Sequence, residues 1–196
     1  MNYGPDNGGR LVLIVGPSGA GKDTLLDIAK RELAEDKRIR FVQRTITRPA
    51  SVGEDHLPMD EASFEEAAGQ GAFALHWAAH DLQYGLPVVI DRWIADGDVV
   101  VANASRAMLG PARQRYPGLM IINITADPEI LAKRLAQRGR EDSDAQKSRL
   151  GRSKAISPDL GDVVIIDNSG DLDVASRQLM ALIQSVRAER PDQGRN

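Results

Sequence analysis

The chain has 196 residues, 42% of them hydrophobic and 27% charged, which suits one α/β domain with apolar material for a single core. Its 25 basic and 28 acidic residues give a net charge of -3, contrary to the basic excess of a nucleic-acid binder, and the lack of cysteine excludes disulfides, thiol nucleophiles and thiolate metal sites. No apolar run approaches the ~20 residues that span a bilayer, and Met1 to Gly9 has no charged segment followed by an apolar one, so neither a membrane anchor nor a signal peptide is expected and the cytoplasm is the expected compartment.

In chain order, residues 1–9 read as a loose lead-in. Leu11 to Val15 is all apolar and stops at Gly16, the pattern of a strand buried on both faces of a parallel sheet. A Gly-rich turn follows, then a helix with Leu25, Leu26, Ala29 and Leu33 on one side. Ile39 to Val42 is a weaker strand. Residues 44–86 are polar, contain Pro and Gly, and show one short helix from about Asp60 to Ala68; they read as an inserted flap. Pro87 suits a first helical position, with Val89, Ile90, Trp93 and Ile94 forming the stripe of a helix that ends at Gly97. Val99 to Ala102 and Leu119 to Ile124 read as further buried strands. Asp127, Pro128 and Glu129 read as the start of a helix that turns Leu131 and Leu135 inward. Residues 138–152 are very polar and read as a second flap; Val163 to Ile166 reads as a strand. Leu172, Ala175, Leu179, Leu182, Ile183 and Val186 mark a last amphipathic helix, and 188–196 a loose tail. Strands alternating with helices predict a single α/β domain, a parallel sheet with helices on both faces.

The chemistry is concentrated in Gly16, Pro17, Ser18, Gly19, Ala20, Gly21, Lys22 and Asp23, which match G-x-x-x-x-G-K between a buried strand and a helix. Glycines let successive backbone N–H groups point at phosphate oxygens, the helix adds its positive end, and Lys22 reaches the β- and γ-phosphates. This predicts a P-loop NTPase fold that binds ATP. Two features depart from the motif. Asp23, followed by Thr24, replaces the hydroxyl residue that usually binds Mg²⁺, and the strand 99–102 ends at Asn103 where an acid often stands. Asp23 either supplies the metal's carboxylate or caps the helix; the metal role is preferred because Mg²⁺ favours hard oxygen ligands.

Gly16 to Leu25, apart from Asp23, resembles the opening segment of the guanylate-kinase-like group of nucleoside monophosphate kinases. Thr45-Ile46-Thr47-Arg48-Pro49 resembles that group's acceptor-phosphate loop, Trp77-Ala78 and Tyr84-Gly85 its next two landmarks, and Arg134 to Arg140 with Arg149-Leu150 its arginine-bearing lid. The guanine-reading positions depart from the pattern. Ser51 stands where a second Arg is usual, no Tyr occurs in 55–60, and His76 replaces the acid that reads the base. The departures resemble one branch, the ribose 1,5-bisphosphate phosphokinases of phosphonate breakdown. It shares the loop ending Gly21-Lys22-Asp23, Ile46-Thr47-Arg48, Trp77, Tyr84-Gly85 and Asn103-Ala104-Ser105-Arg106.

The resemblance implies an ATP-dependent kinase with Mg²⁺ as cofactor, whose partners are ATP and a small phosphorylated sugar. Lys22, Arg138 and Arg149 would be catalytic, while Arg140 and Arg152 stay open between lid and surface roles. Gly16 to Thr24 and Asn168 would hold ATP. Arg48, Tyr84, Asn103, Ser105 and Arg106 would hold the acceptor, since guanidinium forks suit phosphate oxygens. Trp77 is expected to pack, because such an acceptor has no base. His76 and His80 stay open between ribose contacts and plain surface positions. A homodimer is left open.

Overall fold

The computed structural model describes residues 9–49, 55–79, 81–137 and 163–188. Ser51, His80, Arg138, Arg140, Arg149 and Arg152, with the flap at 138–152, lie outside the described residues. The elements are β1 (Arg10–Val15), α1 (Lys22–Glu32), β2 (Ile39–Phe41), β3 (Arg44–Ile46), β4 (His56–Pro58), α2 (Glu61–Gly69), β5 (Phe73–Ala79) and β6 (Leu82–Pro87). Then come α3 (Val89–Ala95), β7 (Val99–Asn103), a 3₁₀ turn at Arg106–Met108, α4 (Leu109–Arg115), β8 (Met120–Thr125), α5 (Pro128–Gln137), β9 (Val163–Asp167) and α6 (Leu172–Ala188).

The main sheet has the order β2-β7-β1-β8-β9 and is parallel throughout. It is covered on both faces, as its unbroken apolar strands predict. Leu11, Leu13 and Val15 of β1 turn to one side, where Ile90 and Ile94 of α3 and Leu109 and Ala112 of α4 pack on them. Val12 and Ile14 turn to the other, against Leu25 and Ala29 of α1 and Ala175, Leu179 and Ile183 of α6. Each large side chain so enclosed contributes about 1.5–3 kcal/mol relative to exposure. The plane of β1 is therefore the rigid base from which the loop at 16–21 projects.

The stretch 44–86 is more ordered than its composition predicts. It forms a second sheet, β4-β3-β6-β5, in which β3 and β4 are parallel and the other pairs antiparallel. The expected helix is present as α2, capped by Asp60, whose carboxylate accepts from the Ser63 N–H at 2.9 Å and its hydroxyl at 2.7 Å. Phe64 of α2 is fully buried and stacks on Phe73 of β5, ring centroids 4.5 Å apart. Pro87 does not open a helix. It closes β6 opposite Phe73, beside the register shift between Phe73 and Leu75, an irregularity at which a missing N–H is tolerated, and α3 starts at Val89. Val89, and Leu172 at the start of α6, are exposed rather than part of a buried stripe. Among the described residues no helix is long and apolar enough to cross a membrane.

Candidate active site

The loop from Gly16 to Gly21 leaves β1 at its C-terminal end and turns into α1. Gly16 has φ +145, and a Cβ there would lie 2.1 Å from the Ile124 carbonyl oxygen of β8. Gly21, the N-cap of α1, has φ +86, and a Cβ would meet Asn168 Nδ2 at 2.4 Å. Only glycine permits both the left-handed backbone and these approaches. Asn168 braces the loop from below: 2% exposed, it donates from Nδ2 to the Ala20 carbonyl at 2.8 Å, and its backbone N–H donates to Thr125 at 2.8 Å. Arg134 of α5 ties both parts, donating to the Gly19 carbonyl at 3.4 Å and the Asn168 carbonyl at 3.0 Å. Asn168 Oδ1 is buried with no hydrogen-bond partner among the described residues.

The Lys22 ammonium folds over the loop and donates to the Gly16 and Pro17 carbonyls at 3.0 and 2.9 Å. Asp23 faces the cleft. Its Oδ1 accepts from Asn103 Nδ2 at 2.8 Å, so the amide at the end of β7 orients the carboxylate. No side-chain hydrogen bond caps α1, so the helix role considered for Asp23 is reduced to its negative charge in the first turn. One turn on, burial first and then the nearby Asp23 and Asp55 carboxylates push Asp27 above the ordinary carboxylate range, with Lys30 opposing. Asp55 accepts from Lys30 at 2.6 Å and from Gln43 at 2.5 Å, linking the second sheet to α1.

The second sheet forms the opposite wall. Arg44, Ile46, Arg48, His56, Trp77 and Tyr84 line a cleft of about 520 Å³ with the loop at 16–21, Asp23, Asn103 and Ser105. Trp77 is 9% exposed and stacks on Tyr84, centroids 5.4 Å apart and planes within 7°, so it packs, as expected. The Ser105 hydroxyl accepts from the Ala107 N–H at 3.3 Å and caps the 3₁₀ turn. Arg106 starts that turn and is not among the residues lining the cleft. His76 is exposed on β5 and is not among the residues lining the cleft.

Sequence reasoning missed Arg44 and His56. They are register partners on β3 and β4, so they share the cleft face. Their signal was the spacing of Arg44 and Arg48, which puts two cations on one side of an extended segment. Cations on both walls and a Gly-rich cradle between them suit the alignment of two phosphorylated molecules for phosphoryl transfer, a reaction governed by positioning and charge neutralisation. A Mg²⁺ ion fits this donor set. It is commonly held by one or two carboxylates plus substrate phosphates. Asp23 is an oriented, half-exposed carboxylate, and Asp27 lies beside it in the same cleft.

A family model described as AAA domain matches residues 12–155. The protein named ribose 1,5-bisphosphate phosphokinase PhnN from Brucella melitensis biotype 2 is 49% identical over 179 residues, 91% of this chain and 93% of that protein. Proteins of the same name are 46% identical in Burkholderia pseudomallei, over 90% of this chain and 96% of theirs, and 45% in Methylobacterium radiotolerans, over 90% and 98%. A guanylate kinase structure from Anaplasma phagocytophilum superposes with a TM-score of 0.64 at 16% identity, covering 90% of this chain and 85% of that one. At that identity the likeness shows a shared fold, the guanylate-kinase-like P-loop architecture.

Proposed function

Because the chain belongs to the ribose 1,5-bisphosphate phosphokinase family, we infer that its cleft passes the γ-phosphoryl group of ATP to ribose 1,5-bisphosphate, giving ADP and 5-phosphoribosyl 1-diphosphate. The observation that carries this reading is the two-walled cleft in a chain nearly half identical to such kinases along nine-tenths of its length. An oxygen of the 1-phosphate attacks the γ-phosphorus while the bond from that phosphorus to the β-bridging oxygen breaks. The 1-phosphate is already ionised at neutral pH, so no general base is required.

Each part of the chain then has a task. Backbone N–H groups of the loop at 16–21 hold the ATP phosphates, and Lys22 moves from the Gly16 and Pro17 carbonyls onto the β- and γ-oxygens. Asp23, oriented by Asn103, would hold Mg²⁺, with Thr24 beside it in sequence. Bound there, Mg²⁺ would supply positive charge against the negative charge of the ATP phosphates. Arg48 and Tyr84 engage the acceptor phosphate, and Asn103 and Ser105, which line the cleft, the ribose hydroxyls; Arg106, outside the cleft lining, stays a phosphate ligand on the strength of the sequence resemblance alone. Asn168 supports the loop through its amide, and its buried Oδ1 is left as an acceptor; the sequence resemblance assigns this position to adenine. Arg138 and Arg149 add the charge of the lid-like motif, on the strength of the sequence resemblance.

The test is a panel of ribose 1,5-bisphosphate, GMP, AMP, UMP and ribose 5-phosphate, each with ATP and Mg²⁺, products resolved by phosphorus NMR. His76 offers no carboxylate to guanine. Ribose 1,5-bisphosphate should therefore exceed GMP by at least ~10²-fold in kcat/KM, the scale of losing polar partners built for a group. A better rate with GMP would overturn the acceptor and leave the kinase.

A further inference from the structure

We propose that Arg44 is the ligand of the acceptor's attacking phosphate, held at the junction of the two walls; the identity of that acceptor rests on the function inferred above. The Arg44 side chain is only 19% exposed. A guanidinium has five donors, and buried charges are ordinarily paired and hydrogen-bonded. Among the described residues, Arg44 makes no side-chain hydrogen bond. Its nearest carboxylate oxygen, Asp23 Oδ1, is 4.0 Å away and already accepts from Asn103 at 2.8 Å.

Other groups hold Arg44 in place without satisfying it. Its Cζ lies 5.9 Å from the centroid of the Tyr84 ring, and Tyr84 stacks in turn on the buried Trp77. This stack holds one side of the guanidinium, and Arg44 lines the cleft. Burial lowers its proton affinity most, Asp23 and then Tyr84 oppose that, and Arg48 lowers it again. Two like charges on one wall repel unless an anion lies between them. Beside Arg44 on β4, His56 is 6% exposed; its Nε2 faces the Arg48 carbonyl at 3.4 Å, and its buried Nδ1 has no partner among the described residues. One face of a small sheet thus carries a guanidinium with no side-chain hydrogen bond among the described residues, held by the long Asp23 pair and the Tyr84 ring, and an unsatisfied ring nitrogen, next to the carboxylate assigned to the metal. A multiply charged phosphate fills this place. It draws Arg44 from Asp23 and leaves that carboxylate to the metal.

The test uses the full chain with its phosphate loop filled by a non-hydrolysable ATP analogue and Mg²⁺. Inorganic phosphate is titrated calorimetrically into wild type, Arg44→Met and Arg44→Lys, and acceptor kinetics and melting temperature are measured in parallel. Arg44→Met should weaken phosphate binding at least tenfold and lower kcat/KM for the acceptor on the order of 10²-fold, with affinity for the ATP analogue unchanged. Its melting temperature should change little, because Arg44 has no side-chain hydrogen bond among the described residues to lose and its ion pair with Asp23, at 4.0 Å, is long. Arg44→Lys should recover part of the phosphate affinity. Unchanged phosphate affinity in Arg44→Met, no phosphate uptake by wild type, or a lowered melting temperature with equal loss of analogue and phosphate would each overturn the proposal. Inorganic phosphate has no sugar, so this measurement stands even if the wild type fails to turn over ribose 1,5-bisphosphate.

Discussion

Gly21→Ala should damage the phosphate loop through one contact, the amide of Asn168. Alanine at φ +86 incurs the left-handed cost of about 1–2 kcal/mol. Its Cβ would stand 2.4 Å from Asn168 Nδ2, which cannot stay on the Ala20 carbonyl at 2.8 Å. Breaking that buried bond costs about 1–3 kcal/mol, so the whole loss is about 2–5 kcal/mol. At about 2–4 °C per kcal/mol for a chain of this size, thermal melting resolves it easily. The discriminating assay is a double-mutant cycle with Asn168→Ala. Once the amide is gone, Gly21→Ala meets no clash and should cost only the backbone term, so the two losses fall short of additive by about 1–3 kcal/mol. Calorimetric titration of ADP should show the same pattern. Additive losses would refute the mechanism and leave strain at Gly21 unconnected to Asn168.

Three further outcomes follow from the site. Lys22→Ala should lower turnover by about 10²-fold or more in a folded protein; near wild-type single-turnover rates would remove Lys22 from the mechanism. Asp23→Ala should raise the Mg²⁺ needed for half-maximal rate while moving the melting temperature only slightly, because Asp23 is half exposed and makes no capping hydrogen bond, leaving the helix only its first-turn charge to lose. An unchanged Mg²⁺ titration with a lower melting temperature would return Asp23 to a helix-stabilising role. Asp27 has its carboxyl raised above the unfolded value, so the folded state binds that proton more tightly and ionisation costs stability as pH rises. Asp27→Asn should therefore raise the melting temperature at neutral pH, with the gain vanishing below about pH 3.9, the ordinary Asp range. A gain independent of pH would show that charge is not its cause.

The main sheet was legible in the sequence because burial on both faces leaves unbroken apolar runs, as in Leu11 to Val15 and Val99 to Ala102. The second sheet was not. β3 and β4 have three residues each, and their pairing depends on partners far along the chain, Ile46 with Tyr84 and Arg44 with His56. In β5 a register shift between Phe73 and Leu75 breaks the alternation that marks a half-buried strand. Pro87 matched a helix start equally well, because the sequence cannot say whether its absent N–H would face a strand or a helix turn. The phosphate loop was read from spacing, since glycine geometry is local. Arg44 and His56 went unread because they become neighbours only when β3 and β4 pair. Ser105 and Asn103 lie at the predicted sheet edge, but the bonds they make, to Ala107 and Asp23, depend on turn geometry and on a helix 80 residues away in sequence.

The stack of Trp77, Tyr84 and Arg44 also has an optical consequence. The chain has two tryptophans. Trp93 lies under Arg40, 5.5 Å from its Cζ and outside the cleft lining, whereas Trp77 sits two layers behind Arg44 on the acceptor wall. With Trp93 replaced by phenylalanine, indole emission becomes a single-site reporter of that wall. Movement of the guanidinium over Tyr84 alters the field and packing at the indole without any attached dye, so events at the acceptor wall can be followed in stopped flow apart from those at the phosphate loop.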